Sequence, residues 1–280
     1  LTVADGDGGA YSASNVDIVM GGLGSFNFNQ GNSGNGIAAY DNVLPTAWEE
    51  AHGAGLSGGV KTVLGVGSSD NVQYSSPKIL GTEIALTYAY DPGTSDTADK
   101  VSQSSSTDSK RGYDATIKIN PSLGTEILSG LNLYAGASTI DAADNAAITT
   151  QDKLEGVGAV TYALGPVEVG AMWSAMYNGD EGALGAAQYH TYKNHGFGVA
   201  FNVNDDFSVS YGEYQSRKAG YTYEKTQTAE ANRVVEVTSW QAAYTMGGAS
   251  FRVADVHVDN ALWSSTADSS ATIVSLGLAF

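Results

Sequence analysis

Side-chain character alternates with period 2 along nearly the whole chain, and this pattern restricts the fold more than any other feature, because it marks strands whose two faces meet different surroundings. Thr272, Val274, Leu276, Leu278 and Phe280 alternate with Ala271, Ile273, Ser275, Gly277 and Ala279. One face is bulky and mostly apolar; the other is mostly small. Phe197, Val199, Phe201 and Val203 oppose Gly196, Gly198, Ala200 and Asn202, and Phe207, Val209 and Tyr211 oppose Ser208, Ser210 and Gly212. The same holds for Ile84, Leu86, Tyr88 and Tyr90 against Glu83, Ala85, Thr87 and Ala89, and for Tyr113, Ala115, Ile117 and Ile119 against Asp114, Thr116, Lys118 and Asn120. Segments 131–138, 153–163, 166–177, 235–246 and 249–260 repeat the pattern less regularly. The fold class is all-β.

The connectors sort into two kinds. Gly22-Leu23, Leu80-Gly81, Gly165-Pro166, Asn204-Asp205 and Gly247-Gly248 are short, and they alternate with long polar stretches near 92–109, 139–152, 178–188, 217–233 and 261–269. Residues 121–129 form an intermediate link on the short side. Short turns on one rim and long loops on the other are the signature of a transmembrane antiparallel β-barrel with an apolar belt outside and a polar lumen. A secreted or surface-attached all-β adhesin or binding module shares the alternation, but has no reason to sort its loops. The longest stretch of only apolar residues and glycine, Ile18–Gly24, is seven residues, whereas a spanning helix needs about 20.

Composition removes other classes. Thirteen Lys and Arg against 30 Asp and Glu leave a formal charge of -17, which repels nucleic acid. No cysteine is present, so disulfides and thiolate chemistry are excluded. His52, His190, His195 and His257 have no paired metal-ligand spacing, and Asp5-Gly6-Asp7-Gly8-Gly9 has no properly spaced Glu to complete a calcium loop. No constellation reads as catalytic, and neither a cofactor nor a metal is expected.

One connector, about 40 residues between strands ending near Asn29 and starting near Asn71, is long enough to be functional. Its Leu44, Trp48, Leu56, Val60, Val63 and Leu64 need somewhere to pack, and a barrel lumen would provide it. Segment 30–70 is therefore expected to be an inward-folded loop within a single barrel domain, 1–280.

The run Asp70-Asn71-Val72-Gln73-Tyr74-Ser75-Ser76-Pro77-Lys78-Ile79-Leu80-Gly81 resembles the segment after the constriction loop of general-diffusion porins of Gram-negative outer membranes. Tyr40-Asp41-Asn42-Val43-Leu44-Pro45-Thr46-Ala47-Trp48-Glu49-Glu50 is most similar to porins of marine alphaproteobacteria. The terminal Phe280 resembles the C-terminal aromatic read by the outer-membrane assembly machinery. Ser68 and Ser69 stand where such porins often carry a basic residue.

The resemblance implies a homotrimer in the bacterial outer membrane, a water-filled channel for ions and small hydrophilic solutes, and no cofactor. It also implies a constriction in which Asp41, Glu49 and Glu50 face basic wall residues. Lys118 has the lumen phase, Lys78 and Lys61 are further candidates, and Arg252 falls on the wrong phase unless a bulge intervenes. The acidic excess favours cations. Eleven strands follow the long loop and two precede it, at about 15–21 and 24–29. A sixteen-stranded barrel of the porin type would then have about three further strands, and an export signal, upstream of Leu1.

Overall fold

The computed structural model describes residues 13–31, 34–67, 69–90, 111–121, 126–141, 152–181, 188–222 and 233–278. Two strands, β1 (Ser14–Val19) and β2 (Ser25–Gln30), precede the long loop. After it come β3 (Asn71–Ser75), β4 (Thr82–Ala89), β5 (Gly112–Ile119), β6 (Leu131–Ile140), β7 (Lys153–Leu164) and β8 (Val167–Glu181). The sheet continues through β9 (Gln188–Asn202), β10 (Phe207–Thr222), β11 (Arg233–Met246), β12 (Ala249–Asp259) and β13 (Ser269–Leu278). All 13 strands lie in one sheet in sequence order, each antiparallel to the next. Phe280 and the segment 91–110 lie outside the described residues.

Connectors sort as the alternation predicts. β7 and β8 are joined through Gly165 and Pro166, and β11 and β12 through Gly247 and Gly248, all at one rim. Gly81, at φ 80°, sits where a Cβ would strike the Asn120 carbonyl oxygen, so this turn accepts only glycine. Strands reach further toward the opposite rim than their alternation suggests. β8 and β9 have 15 residues and β10 has 16, against the roughly 9–11 that cross a bilayer.

The reason is visible on the outward face. Near the short-turn rim it carries Val199, Phe201, Val209, Trp240, Phe251, Val274 and Leu276, with Trp240 and Leu276 more than 60% exposed. Toward the long-loop rim the same face bears Lys193, His195, Glu213, Gln215, Glu236 and His257. Gln215 Nε2 donates to Glu213 Oε1 at 2.8 Å and Glu236 Oε2 at 3.0 Å. An apolar belt below and a hydrated extension above suit strands that outrun the membrane. Outward aromatics pair across strands, with ring centroids 4.7 Å apart for Tyr211 and Trp240 and 5.3 Å for Tyr88 and Tyr113.

Val199 lies on the belt face, as the alternation predicts, and Val199→Arg should cost about 2–4 kcal/mol of folding stability in lipid. Urea unfolding in lipid vesicles measures it, with Val199→Leu as control; equal stability of the two variants would remove Val199 from the lipid face. Ala200, the inward neighbour, is 6% exposed, so arginine there would meet crowding rather than an open lumen.

Two sequence expectations are corrected. The inner face is not polar throughout: Val235, Val237, Ala254, Val256 and Val258 are fully buried there. Arg252 shares their phase and so faces inward without a bulge. Ala254, Val256 and Val258 on that face are apolar because they pack against the long loop.

Candidate functional site

The loop between β2 and β3 lies along the inner wall from β3 to β13. It opens with a 3₁₀ turn, Gly36–Tyr40, whose Ile37 is fully buried and whose Tyr40 meets Tyr134 edge-on at 5.2 Å. Leu44 and Pro45 then cross β8 and β9 where the wall has Gly170, Gly196 and Gly198; a Cβ on any of these would come within 2.7 Å of the loop. The small residues on the inward phase of β9 thus serve close packing rather than an open channel wall. Ala51, Ala54 and Val63 complete one apolar cluster with Val235, Val237, Ala254, Val256 and Val258.

Polar wall residues latch the loop's backbone at intervals. On β3, Gln73 Oε1 accepts the Gly36 N–H at 2.8 Å. On β5, Asp114 Oδ2 accepts the N–H of Ile37 at 2.9 Å and of Val66 at 3.2 Å, so one carboxylate ties the loop's beginning to its end. Gly36 and Gly65 both take positive φ beside it, and a Cβ at either would collide with Asp114. On β7, Glu155 Oε2 accepts from Leu64 and Gly65, each at 2.7 Å, while its Oε1 is paired with Lys153 Nζ at 2.6 Å. Asn194 on β9 donates to the Lys61 carbonyl at 2.9 Å. On β11, Gln241 accepts from Trp48 and Glu49 N–H through Oε1 and donates to the Glu49 carbonyl through Nε2 at 2.7 Å. Hydrogen bonds from backbone amides to a carboxylate are each worth about 1.5–3 kcal/mol, so these contacts, more than loop rigidity, hold the segment to the wall.

The 260–268 connector, which the sequence groups with the long polar stretches, also turns inward. Leu262 donates its N–H to the Gly58 carbonyl at 2.8 Å, and buried Trp263 donates Nε1–H to the Ser216 carbonyl at 2.9 Å while packing on Tyr192.

The three predicted acids lie close together on the loop. Glu49 is exposed, and Asp41 and Glu50 are half-buried. Burial pushes the Asp41 carboxyl up to about 6. Burial also pushes Glu50 up to about 7, and the neighbouring charges of Glu49 and Asp41 add to the rise. Burial pulls the His52 imidazole, 4.4 Å from the Tyr214 ring, down to about 4, so it is neutral near pH 7. The predicted bases are scattered. Lys118 stands on the inner face of β5 with Nζ 5.3 Å from the Tyr134 ring centroid. Lys78 lies in the short turn between β3 and β4, and Lys61 belongs to the loop itself rather than to a wall facing it.

A porin refined at high resolution superposes with a TM-score of 0.65 at 14% identity, over 95% of this chain and 80% of that one. The fold is that of a porin barrel. An anion-selective porin from Comamonas acidovorans matches at TM-score 0.54 and 13% identity, covering 88% of this chain and 67% of the other. A loop-L8 deletion mutant of OmpT, an outer membrane protein of Vibrio cholerae, matches at TM-score 0.60 and 11% identity, over 89% and 74%. No protein-family model and no curated protein matches the chain.

In this porin-type fold, Asp114, Glu155, Asn194 and Gln241 hold the long loop to the wall, and sequence reasoning passed over them. A signal existed for two of them. Asp114 and Glu155 are acids on the inward phase of otherwise regular strands, a place where a carboxylate needs donors. Nothing in the sequence said that the donors would be the loop's own amides.

Proposed function

We propose that the chain forms a water-filled channel in the bacterial outer membrane, through which ions and small hydrophilic solutes diffuse passively, with a weak preference for cations. The observation that carries this reading is the long loop latched across the inner wall of a sheet whose outer face bears an apolar belt. Its acids Asp41, Glu49 and Glu50 would form the constriction, with Lys118 on the wall. The likeness to solved porins supports the fold on which the reading rests. A secreted binding module would have to present the same apolar belt to water, which disfavours it. A homotrimer follows from the family resemblance, and Ala115, Ala137, Gly156 and Ala175, level with one another on four adjacent strands, give an outward patch flat enough for a subunit contact.

The test is a reversal potential under a salt gradient in planar bilayers. Neutralising Asp41, Glu49 and Glu50 to Asn, Gln and Gln should lower cation over anion permeability while keeping open-channel conductance. Charges about 4 Å from a passing ion act with roughly 1 kcal/mol even in bulk water. Neutralising Glu213, Glu236 and Asp259 on the outer face should matter less, because screening ends their reach within about 8–10 Å. A loop variant matching the parent would remove the three acids from the constriction.

The same recordings should depend on pH. As pH falls from 8 to 5, Glu50 and then Asp41 take up protons, so cation preference should decline through about 7 and 6. Both carboxyls are raised above their ordinary values of 4.5 and 3.8, so the folded state binds these protons more readily than the unfolded chain and protonation here favours folding. Loss of selectivity at pH 5–6 therefore does not reflect unfolding at these sites. The triple variant should show a flat profile; an equally sloped one would place the titrating groups elsewhere.

A further inference from the structure

Beneath the loop, near the short-turn rim, a cavity of about 370 Å³ lies between Ala47–Glu49 and the ends of β9 to β12. Its size falls within the range of small-molecule sites. Arg252 lines it from β12, Trp48 and Glu49 from the loop, and Asp205 and Asp206 from the turn between β9 and β10. Among the described residues Arg252 forms no ion pair; its Nε donates to Ser250 Oγ at 3.2 Å, which leaves the terminal nitrogens of the guanidinium for a ligand.

The groups are held in place. Gln241 grips the backbone of Trp48 and Glu49 from both sides, and Ser210 Oγ accepts the Ala47 N–H at 2.8 Å. In the turn, Asn204 Oδ1 accepts the N–H of Asp206 and of Phe207, each at 2.9 Å, and the Asp206 carbonyl accepts the Thr245 N–H at 2.8 Å. Loop and floor are thus fixed before any ligand arrives, which lowers the cost of ordering them on binding.

We propose that this cavity is a solute subsite of the channel for small zwitterionic amino compounds, the class of free α-amino acids. The inference rests on the channel reading and names a substrate class for it. A guanidinium receives a carboxylate through paired N–H donors. Glu49 and the turn aspartates receive an ammonium, and the Trp48 side chain borders the same space, beside that cation or the solute's carbon chain. Simple anions meet three carboxylates and simple cations meet Arg252, so a molecule carrying both charges answers all of these groups at once. Occupancy must be brief for a solute to pass on.

L-glutamine is the probe, with its deaminated and decarboxylated counterparts, glutaramate and 4-aminobutanamide, as controls. In bilayers carrying KCl current, millimolar glutamine should cause saturable interruptions of single-channel current, with the two controls at least tenfold weaker. Arg252→Gln should weaken the glutamine effect tenfold or more with unchanged KCl conductance, and Glu49→Gln should weaken it less. Interruptions absent in the parent, or undiminished in Arg252→Gln, while KCl current persists, would overturn the subsite and leave the channel standing. Should the protein conduct nothing, the channel reading fails. Saturation-transfer NMR of glutamine on the detergent-folded protein then decides the cavity alone: a signal lost in Arg252→Gln retains it, and no signal, or an equal one, refutes it.

Discussion

Replacing Asp114 and Glu155 together by alanine should detach both ends of the long loop from the wall and destabilise the folded protein by roughly 4 kcal/mol or more, at about 1–3 kcal/mol for each buried donor left without an acceptor. Four backbone amides, those of Ile37, Leu64, Gly65 and Val66, lose their carboxylate partners in that variant. Lys153 loses the carboxylate it pairs with. The sheet itself keeps its ladder, so the defect should be local: new protease cleavage within 36–66 and fluctuating single-channel current, with strand content retained. Asp114→Asn with Glu155→Gln keeps one carbonyl oxygen at each site and should fall between the parent and the alanine variant. A double-alanine protein as quiet in bilayers and as protease-resistant as the parent would mean that apolar packing alone places the loop.

Tyr214→Ala should be the most damaging single truncation of the inner wall, destabilising by about 3–5 kcal/mol as large aromatic-to-alanine changes in cores do. Tyr214 is 1% exposed on β10. Its ring lies tilted against His52 and borders the Gly196 face beneath Leu44, and its hydroxyl donates to the Lys61 carbonyl at 3.4 Å. Removing the ring leaves a cavity shared by three stretches of loop that cannot collapse together, because Gln241 and Asn194 hold the backbone on either side. Tyr214→Phe loses only a long hydrogen bond and should cost less than about 1 kcal/mol. Urea unfolding in lipid vesicles compares the three proteins. A Tyr214→Ala cost below about 1 kcal/mol would show that the loop does not depend on this ring.

By itself the sequence determined the all-β class, the two strands before and eleven after the long loop, the sorting of connectors, and the outward phase of β4, β9 and β13. These rest on local periodicity and on turn residues, which act over a few positions and can be read there. It also placed Asp41, Glu49 and Glu50 on one loop. Only the tertiary structure decided what the inward face does. Arg252 was misread because Ala254, Val256 and Val258 are as apolar as a lipid-facing phase, and alternation cannot distinguish a face packed on lipid from one packed on a loop about 200 residues earlier in sequence. The Asp114 and Glu155 latches, the inward turn of Trp263 and the raised carboxyls of Asp41 and Glu50 have the same origin. Each depends on which distant backbone or side chain closes over a group and removes its water, and desolvation is a property of the assembled packing, not of any local pattern of residues.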